Sequence, residues 1–508
     1  MCRIQARTRP KKEHPLVIEK LSRLLALTAL ASIAAIARAA EISAPAAPAP
    51  CRIHSAAVGA SAAARCLSLS VPEDPAVPDG ARIQLSIAVI PALRTKAEPD
   101  PLFLISGGPG QAASDLYFAM APAFARIQRD RDIVIVDQRG TGGSARFDCA
   151  MPNDAEFVDV SPSLAGRLAK QCLAAFARDA RFYTTSVAVQ DLERVRIALG
   201  YDAINLYGVS YGTRVAQHYM RRYPRRVRSA ILDGVVPPGL ALGPRIALDA
   251  QTALDAIFER CVLDVACNKA FPAIREQFAT LRERLSATPA ALTIADPVSA
   301  TPLDVRFGVA ELTAAVRLLS YSDEAASLLP LLIHEANSAN RPHGLAAQFE
   351  LIKRSLGAQI AYGMHFSVAC SEDAPRWQQE SVTRDALAET YIGTQLIDAM
   401  EAICADWPRG PVDEDFHASL DVDVPTLLLS GANDPVTPVA YGERARATLS
   451  NAKHLVLNGQ GHGQLLIGCM PQVAAKFVAT ASFDALGEAC LYSVTPAPFF
   501  LSHAGPAP

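Results

Sequence analysis

Between Pro101 and Gly234, short runs of nearly unbroken apolar residues alternate with stretches whose apolar positions recur at helical spacing. Leu102-Phe103-Leu104-Ile105 and Ile133-Val134-Ile135-Val136 predict strands covered on both faces, since a strand with one wet face would alternate apolar with polar. Ile204-Asn205-Leu206-Tyr207 and Ala230-Ile231-Leu232 continue the set. Between the second and third of these runs, Val187, Val189, Leu192, Val195 and Leu199 give Thr185 to Leu199 a helical spacing. Strands alternating with helices in this way predict a parallel sheet joined by crossover helices.

The pattern returns near the end of the chain. Pro425 to Ser430 and Lys453 to Leu457 predict two more strands, with a helix near Val439 to Leu449 between them. From about Leu240 to Ile392 the texture changes to long Ala-, Leu- and Arg-rich helical patterns with few strand runs. A mainly helical block interrupting a parallel sheet reads as a cap. The expected division is a leader at 1–39, core at 40–239, cap at 240–392, core again at 393–495 and a Pro-rich loose tail at 496–508.

The leader carries Arg3, Arg7, Arg9, Lys11, Lys12, Lys20 and Arg23, then an uncharged apolar run from Leu24 to Ala37, and ends in Ala37-Arg38-Ala39. That is the layout of a secretory signal peptide. An uncleaved anchor is the alternative, although the run is shorter than the ~20 residues a span requires. The expected location is therefore periplasmic or extracellular, with no membrane contact after signal removal. The whole chain has 48 Lys plus Arg against 51 Asp plus Glu. The leader takes eight basic and two acidic side chains with it, so the formal charge falls from −3 to −9. An acidic mature chain has no basic surplus for nucleic acid.

Export also decides how cysteines are read. Cys2 leaves with the leader, and the remaining ten fall in local couples: 51 and 66, 149 and 172, 261 and 267, 370 and 404, 469 and 490. An even number in an oxidising compartment points to disulfides, and short loops close at least entropic cost. Buried thiols are the alternative.

The chemistry concentrates at Gly208-Val209-Ser210-Tyr211-Gly212, after a predicted strand and at the head of a helix running from Thr213 to Arg222. A G-x-S-x-G at a strand-to-helix turn is a nucleophile elbow, whose tight turn leaves no room for side chains beside the serine. In this architecture the serine is followed by an acid and then a histidine. Asp434 lies just after one late strand and His462, in Gly459-Gln460-Gly461-His462-Gly463, just after the next. Asp233, at the end of the strand after the nucleophile helix, is a rival for the acid, with capping of a turn as its other reading. His218, on the nucleophile helix, is expected to pack or to be solvated. The loop Ser106-Gly107-Gly108-Pro109-Gly110 would supply the Gly108 N–H to an oxyanion hole, with the Tyr211 N–H as the second donor.

Together, SGGPG at 106–110, DQRGTGGS at 137–144, GVSYGT at 208–213, GANDPVTP at 431–438 and GQGHG at 459–463 resemble one family. It is the family of α/β-hydrolase serine exopeptidases that includes prolyl and tripeptidyl aminopeptidases, and the resemblance spans roughly 50–492. Cys404-Ala405-Asp406-Trp407-Pro408 is similar to the late part of secreted tripeptidyl aminopeptidases. The family usually has histidine where Ser106 stands, which alters the packing under the oxyanion loop but not its backbone donors.

The resemblance implies an α/β-hydrolase fold with an inserted, mainly helical cap, and cleavage of peptide N-termini without metal or organic cofactor. Ser210 would attack, His462 would act as base and then acid, and Asp434 would orient His462. A free substrate amine is largely protonated at neutral pH, and a buried cation needs a carboxylate partner. Related enzymes place acidic residues where the cap returns to the sheet, which here is Glu372, with Asp373 as near rival and two solvated loop acids as the alternative. An esterase using the same triad and a catalytically inactive binding protein are the competing functions.

Overall fold

The computed structural model describes residues 47–55, 59–149 and 161–506; the expected signal peptide lies outside them. The four apolar runs form the centre of one nine-stranded sheet as β4 (Leu102–Ile105), β5 (Ile133–Val136), β6 (Ile204–Val209) and β7 (Val227–Asp233). Every residue of β4 and β5 is buried, as their unbroken apolar character requires. Three strands precede them, β1 (Ala49–Ser55), β2 (Ala60–Pro72) and β3 (Arg82–Ile90), and β10 (Thr426–Gly431) and β11 (Ala452–Leu457) follow.

The spatial order is β1-β2-β3-β5-β4-β6-β7-β10-β11. From β5 to β11 neighbours run parallel; β1, β2 and β3 pair antiparallel and join the sheet at β5. The parallel strands all end at one edge, so the turns after β4, β6, β10 and β11 gather there. That geometry brings residues 106, 210, 434 and 462 into one neighbourhood.

The predicted crossover helix is present as Thr185–Ala198, and the helix after Ser210 as Tyr211–Arg222. β3 was not predicted, although Ile83, Leu85 and Ile87 alternate with polar residues, and neither were β1 and β2. Their Ala- and Ser-rich stretches carry only weak alternation, and pairing and the Cys51–Cys66 bridge hold them instead. In the 240–392 block, helices such as Ile246–Leu263, Ile274–Ala287 and Val309–Leu319 dominate. A hairpin of β8 (Ala290–Ala295) and β9 (Pro302–Phe307) is added to them.

All five local cysteine couples are bridged, 51–66, 149–172, 261–267, 370–404 and 469–490. Five disulfides fit an oxidising compartment. No helix among the described residues is long and apolar enough to cross a membrane.

The end of the chain corrects the expectation of a loose tail. Phe499 is buried, with the Arg260 guanidinium 4.0 Å from its ring centroid. Arg260 donates to the Ala497 carbonyl at 2.7 Å, and the Phe500 N–H donates to the Ser327 carbonyl at 3.1 Å. The aromatic pair inside the Pro-rich stretch supplies apolar area enough to dock it, which composition alone conceals.

Candidate active site

Ser210 stands between β6 and its helix at φ 56° and ψ −126°, a backbone conformation that costs a non-glycine residue ~1–3 kcal/mol. Its surroundings impose this turn. A Cβ on Gly208 would lie 2.5 Å from the Gly212 carbonyl oxygen, and one on Gly212 would lie 2.4 Å from that of Ile105. The Ser210 N–H is fixed to the Asp233 carbonyl at 2.8 Å, and the Thr213 N–H and hydroxyl donate to the Ser210 carbonyl at 2.9 and 2.6 Å. The side chain is left half-buried at the sheet's edge.

Asp434 and His462 meet directly, with Nδ1 to Oδ2 at 2.7 Å. The other carboxylate oxygen accepts the Val436 and Thr437 N–H groups at 2.8 and 2.9 Å. Thr437 donates its hydroxyl to Oδ2 at 2.7 Å and lies 3.2 Å from Nδ1. The His462 ring also lies at the end of β7, where a Cβ on Gly234 would come within 2.8 Å of Cε1. The Ser210 hydroxyl makes no hydrogen bond to His462 among the described residues. Such bonds often close only once substrate is bound.

Asp233, the rival acid, does different work. Its carboxylate accepts the Gln464 and Leu465 N–H groups at 2.8–3.0 Å and the Tyr207 hydroxyl at 3.0 Å, pinning the loop that follows His462. Burial pushes its pKa up to about 6 against these donors. Asp434 is also raised by burial, but the His462 charge and the Thr437 donors outweigh this and hold it below its ordinary value. Burial alone would lower His462; Asp434, with Asp233 behind it, leaves it above the usual range instead.

Beside Ser210, a Cβ on Gly107 would lie 3.1 Å from the serine Cβ, so the SGGPG loop borders Ser210. The N–H groups of Gly108 and Tyr211 have no acceptor among the described residues, as donors awaiting an oxyanion would not. Ser106 donates to the Gln111 side-chain oxygen at 3.0 Å and the Ala112 carbonyl at 3.2 Å, which fixes the loop without the usual histidine.

The DQRGTGGS segment is scaffolding. Asp137 accepts from the Ser114 and Gly143 N–H groups at 3.0 and 2.9 Å. The fully buried Arg139 makes a two-pronged pair with Asp191 at 2.6 and 3.0 Å and also donates to the Glu73 and Phe182 carbonyls. This anchors the helix Thr185–Ala198, whose first residue reaches the site.

Glu372 lies beneath that residue. Its oxygens accept the Thr185 N–H at 2.6 Å and hydroxyl at 3.0 Å, and the Thr185 hydroxyl is 2.6 Å from that of Tyr211. The side chain is closed to solvent, with Arg214 3.8 Å away. Burial pushes its pKa up to about 8, opposed by Arg214 and reinforced by Asp373. Asp373 is taken by Arg214 at 2.9 and 3.1 Å and by the Leu242 N–H at 2.9 Å. His218 packs edge-on against Phe416 and bonds Asp413 at 2.8 Å.

The model of the alpha/beta hydrolase fold matches residues 100–468, most of the chain. The chain belongs to the α/β-hydrolase family. Over 485 residues it is 26% identical to serine protease Hip1 of Mycobacterium tuberculosis, covering 87% of this chain and 90% of that protein. Over 473 residues it is 25% identical to a tripeptidyl aminopeptidase of Streptomyces coelicolor, covering 85% and 84%. A carboxylesterase B of Mycobacterium tuberculosis is 34% identical over 227 residues, 40% of this chain and 43% of that one. The chain is a serine hydrolase, and serine protease Hip1 and the tripeptidyl aminopeptidase, each matched over most of its length, are peptidases by name.

Two contributors to this hydrolase site gave no signal in the sequence. Tyr321, from the cap, accepts the His462 N–H on its carbonyl at 2.6 Å and lays its ring edge-on to the imidazole at 5.5 Å. His365 places Nδ1 3.2 Å from the Pro109 carbonyl, under the SGGPG loop. Thr437 was visible only as part of the GANDPVTP segment.

Proposed function

We propose that the protein is an exported serine exopeptidase that removes residues or short peptides from free N-termini. The 2.7 Å contact of Asp434 with His462, at the strand ends beside the strained Ser210, carries this reading. Ser210 Oγ attacks the acyl carbon and passes its proton to His462 Nε2. Asp434 keeps the Nδ1 proton in place and stabilises the imidazolium. The Gly108 and Tyr211 N–H groups receive the oxyanion, each such donor being worth ~3–4 kcal/mol in the transition state. His462 then protonates the leaving amine, and water releases the acyl group by the same route. The full-length peptidase relatives and the five disulfides favour an exported peptidase.

Glu372 is the proposed partner of the substrate ammonium. Asp373 takes the buried Arg214, and burial leaves Glu372 largely protonated near neutral pH, so an arriving ammonium would draw out its carboxylate form and supply the partner it lacks. Reaching Oε2 requires the Thr185 hydroxyl to turn away. Glu372→Gln should cut the ratio of free-peptide to neutral-ester turnover by roughly a hundredfold or more, the scale for stranding a buried charge. An equal fall for both substrates would make Glu372 a support for Tyr211 instead.

Mass spectrometry of products from mixed free and N-acetylated peptides tests the main reading. The exopeptidase cuts only the free forms. The partial similarity to carboxylesterase B keeps a second reading, an esterase, which would cut neither and turn over small esters alone.

A further inference from the structure

Two half-buried cations of the helical 240–392 block, Arg317 and Arg282, lie around Tyr391 without a carboxylate partner among the described residues, and Arg317 borders the His462 neighbourhood. Arg317, on the helix Val309–Leu319, donates to the Tyr321 hydroxyl at 3.1 Å and stacks 5.7 Å from that ring, which itself packs on His462. Arg282, on the helix Ile274–Ala287, lies 5.8 Å from the Phe278 ring and donates to the Thr390 carbonyl at 3.4 Å. Between these helices sits Tyr391, edge-on to Phe278 at 6.1 Å, its backbone held by the Thr313 hydroxyl at 3.4 Å and the Gln251 side chain at 2.9 Å.

Neither arginine pairs with a carboxylate among the described residues. Three polar atoms there are buried without a partner: Nε of Arg282, Nε of Arg317 and the Tyr391 hydroxyl. Tyr391 is only 2% exposed, while both arginines are half-buried. Both guanidinium charges bear on the Tyr391 hydroxyl, and Arg317 also bears on His462. Each of the three is a hydrogen-bond donor. Buried donors with no acceptor are costly unless a ligand supplies one, and guanidinium groups match a carboxylate in charge and geometry.

We propose that Arg317, Arg282 and Tyr391 form an anion subsite of the cap that receives a carboxylate of the peptide substrate while its scissile bond lies at Ser210. This rests on the peptidase reading. The carboxylate has two possible sources, the C-terminus of a short peptide or an acidic side chain, and the same chemistry recognises both.

Peptides are compared in matched pairs, free acid against C-terminal amide, and Asp or Glu against Asn or Gln along the sequence. In the unaltered protein one class of pair should favour the carboxylate by about tenfold or more in kcat/KM, carried mainly by KM, as a single charged contact supplies. Arg317→Gln and Arg282→Gln should each reduce that preference, and the double variant should bring it to within about twofold, the usual error of such ratios. The preference is a ratio within one protein, so a general loss of activity cancels. Phenylglyoxal labelling mapped by mass spectrometry needs no variant: the preferred acid should shield Arg317 and Arg282, and its neutral partner should not.

No preference in either class, a preference that survives in the double variant, or equal shielding by both forms would overturn the subsite. Should Ser210 turn over esters but cleave no peptide, the peptidase reading fails, and the labelling comparison still decides whether the carboxylate binds.

Discussion

Two buried carboxylates bear on His462, and replacing each by its amide separates their roles. In Asp434, Oδ1 accepts two N–H groups while Oδ2 faces His462 Nδ1 and the Thr437 hydroxyl. Asparagine has one oxygen for these two positions. With the oxygen left on the Val436 and Thr437 N–H groups, its NH₂ faces His462 and selects the tautomer protonated at Nε2, which cannot take the serine proton. Asp434→Asn should therefore lose about 10⁴-fold in kcat, some 5 kcal/mol of barrier, as expected for a wrong tautomer in intact geometry. Stability should change little, because the amide still donates to Nδ1. In Asp233→Asn the conflict falls elsewhere. Oδ2 accepts from Gln464, Leu465 and Tyr207 while Oδ1 accepts from the Gln464 N–H alone, so with the amide oxygen at Oδ2 the new NH₂ faces that N–H, donor against donor. A buried donor left without an acceptor costs ~1–3 kcal/mol. Thermal unfolding should fall by a few degrees while kcat drops tenfold at most, on the order of 1.4 kcal/mol. The measurements are kcat on a Ser210-dependent substrate and the unfolding midpoint. If Asp233→Asn abolishes turnover at an unchanged midpoint while Asp434→Asn stays active, the acid has been misassigned.

A fluorophosphonate should label Ser210 alone, and Ser210→Ala should cost about 10⁶-fold in kcat on the precedent of serine hydrolase triads; activity surviving the change would place the chemistry elsewhere. Because Asp434 raises His462 and the base must be neutral, kcat/KM should rise with pH through a limb above the ordinary histidine value of about 6.5, and that limb should move down in Asp434→Asn. Denatured, unreduced protein should show no free thiol in the described region. Removing the 370–404 bridge, with its sequence separation of 34, should cost about 4 kcal/mol, and removing 261–267, with a separation of 6, about 2, by loop entropy. Phe499→Ala should expose the 496–506 segment to protease and lower the unfolding midpoint; an unchanged digestion pattern would mean that the tail is not docked in solution.

The buried strands β4 and β5 were legible because a strand covered on both faces must be apolar throughout, and four to six such residues between turn signals leave little else. The elbow was legible for an equally local reason: the backbone at Ser210 tolerates nothing but glycine at positions 208 and 212, so the constraint is written into adjacent residues. The cysteine couples follow too, since nearby chain segments meet at least entropic cost. β1 and β2 were not legible, because pairing and a disulfide hold them while their own side chains alternate only weakly.

The order of strands favoured Asp434 over Asp233, but what each carboxylate touches lay beyond the sequence. Both end a parallel strand at the same edge, and only the packing of the 459–465 loop decides which carboxylate meets Nδ1 and which is consumed by backbone N–H groups. The same holds for Tyr321, whose contribution to His462 is a backbone carbonyl that any residue could offer. Glu372 is the sharpest case. The resemblance to related enzymes pointed to an acid where the cap returns to the sheet, but tertiary packing closed it beneath Thr185 and Tyr211. Local backbone constraints and apolar runs belong to neighbouring residues and survive in one dimension. The partner of a buried charge is set by which distant segments pack together, and that is settled only when the chain folds.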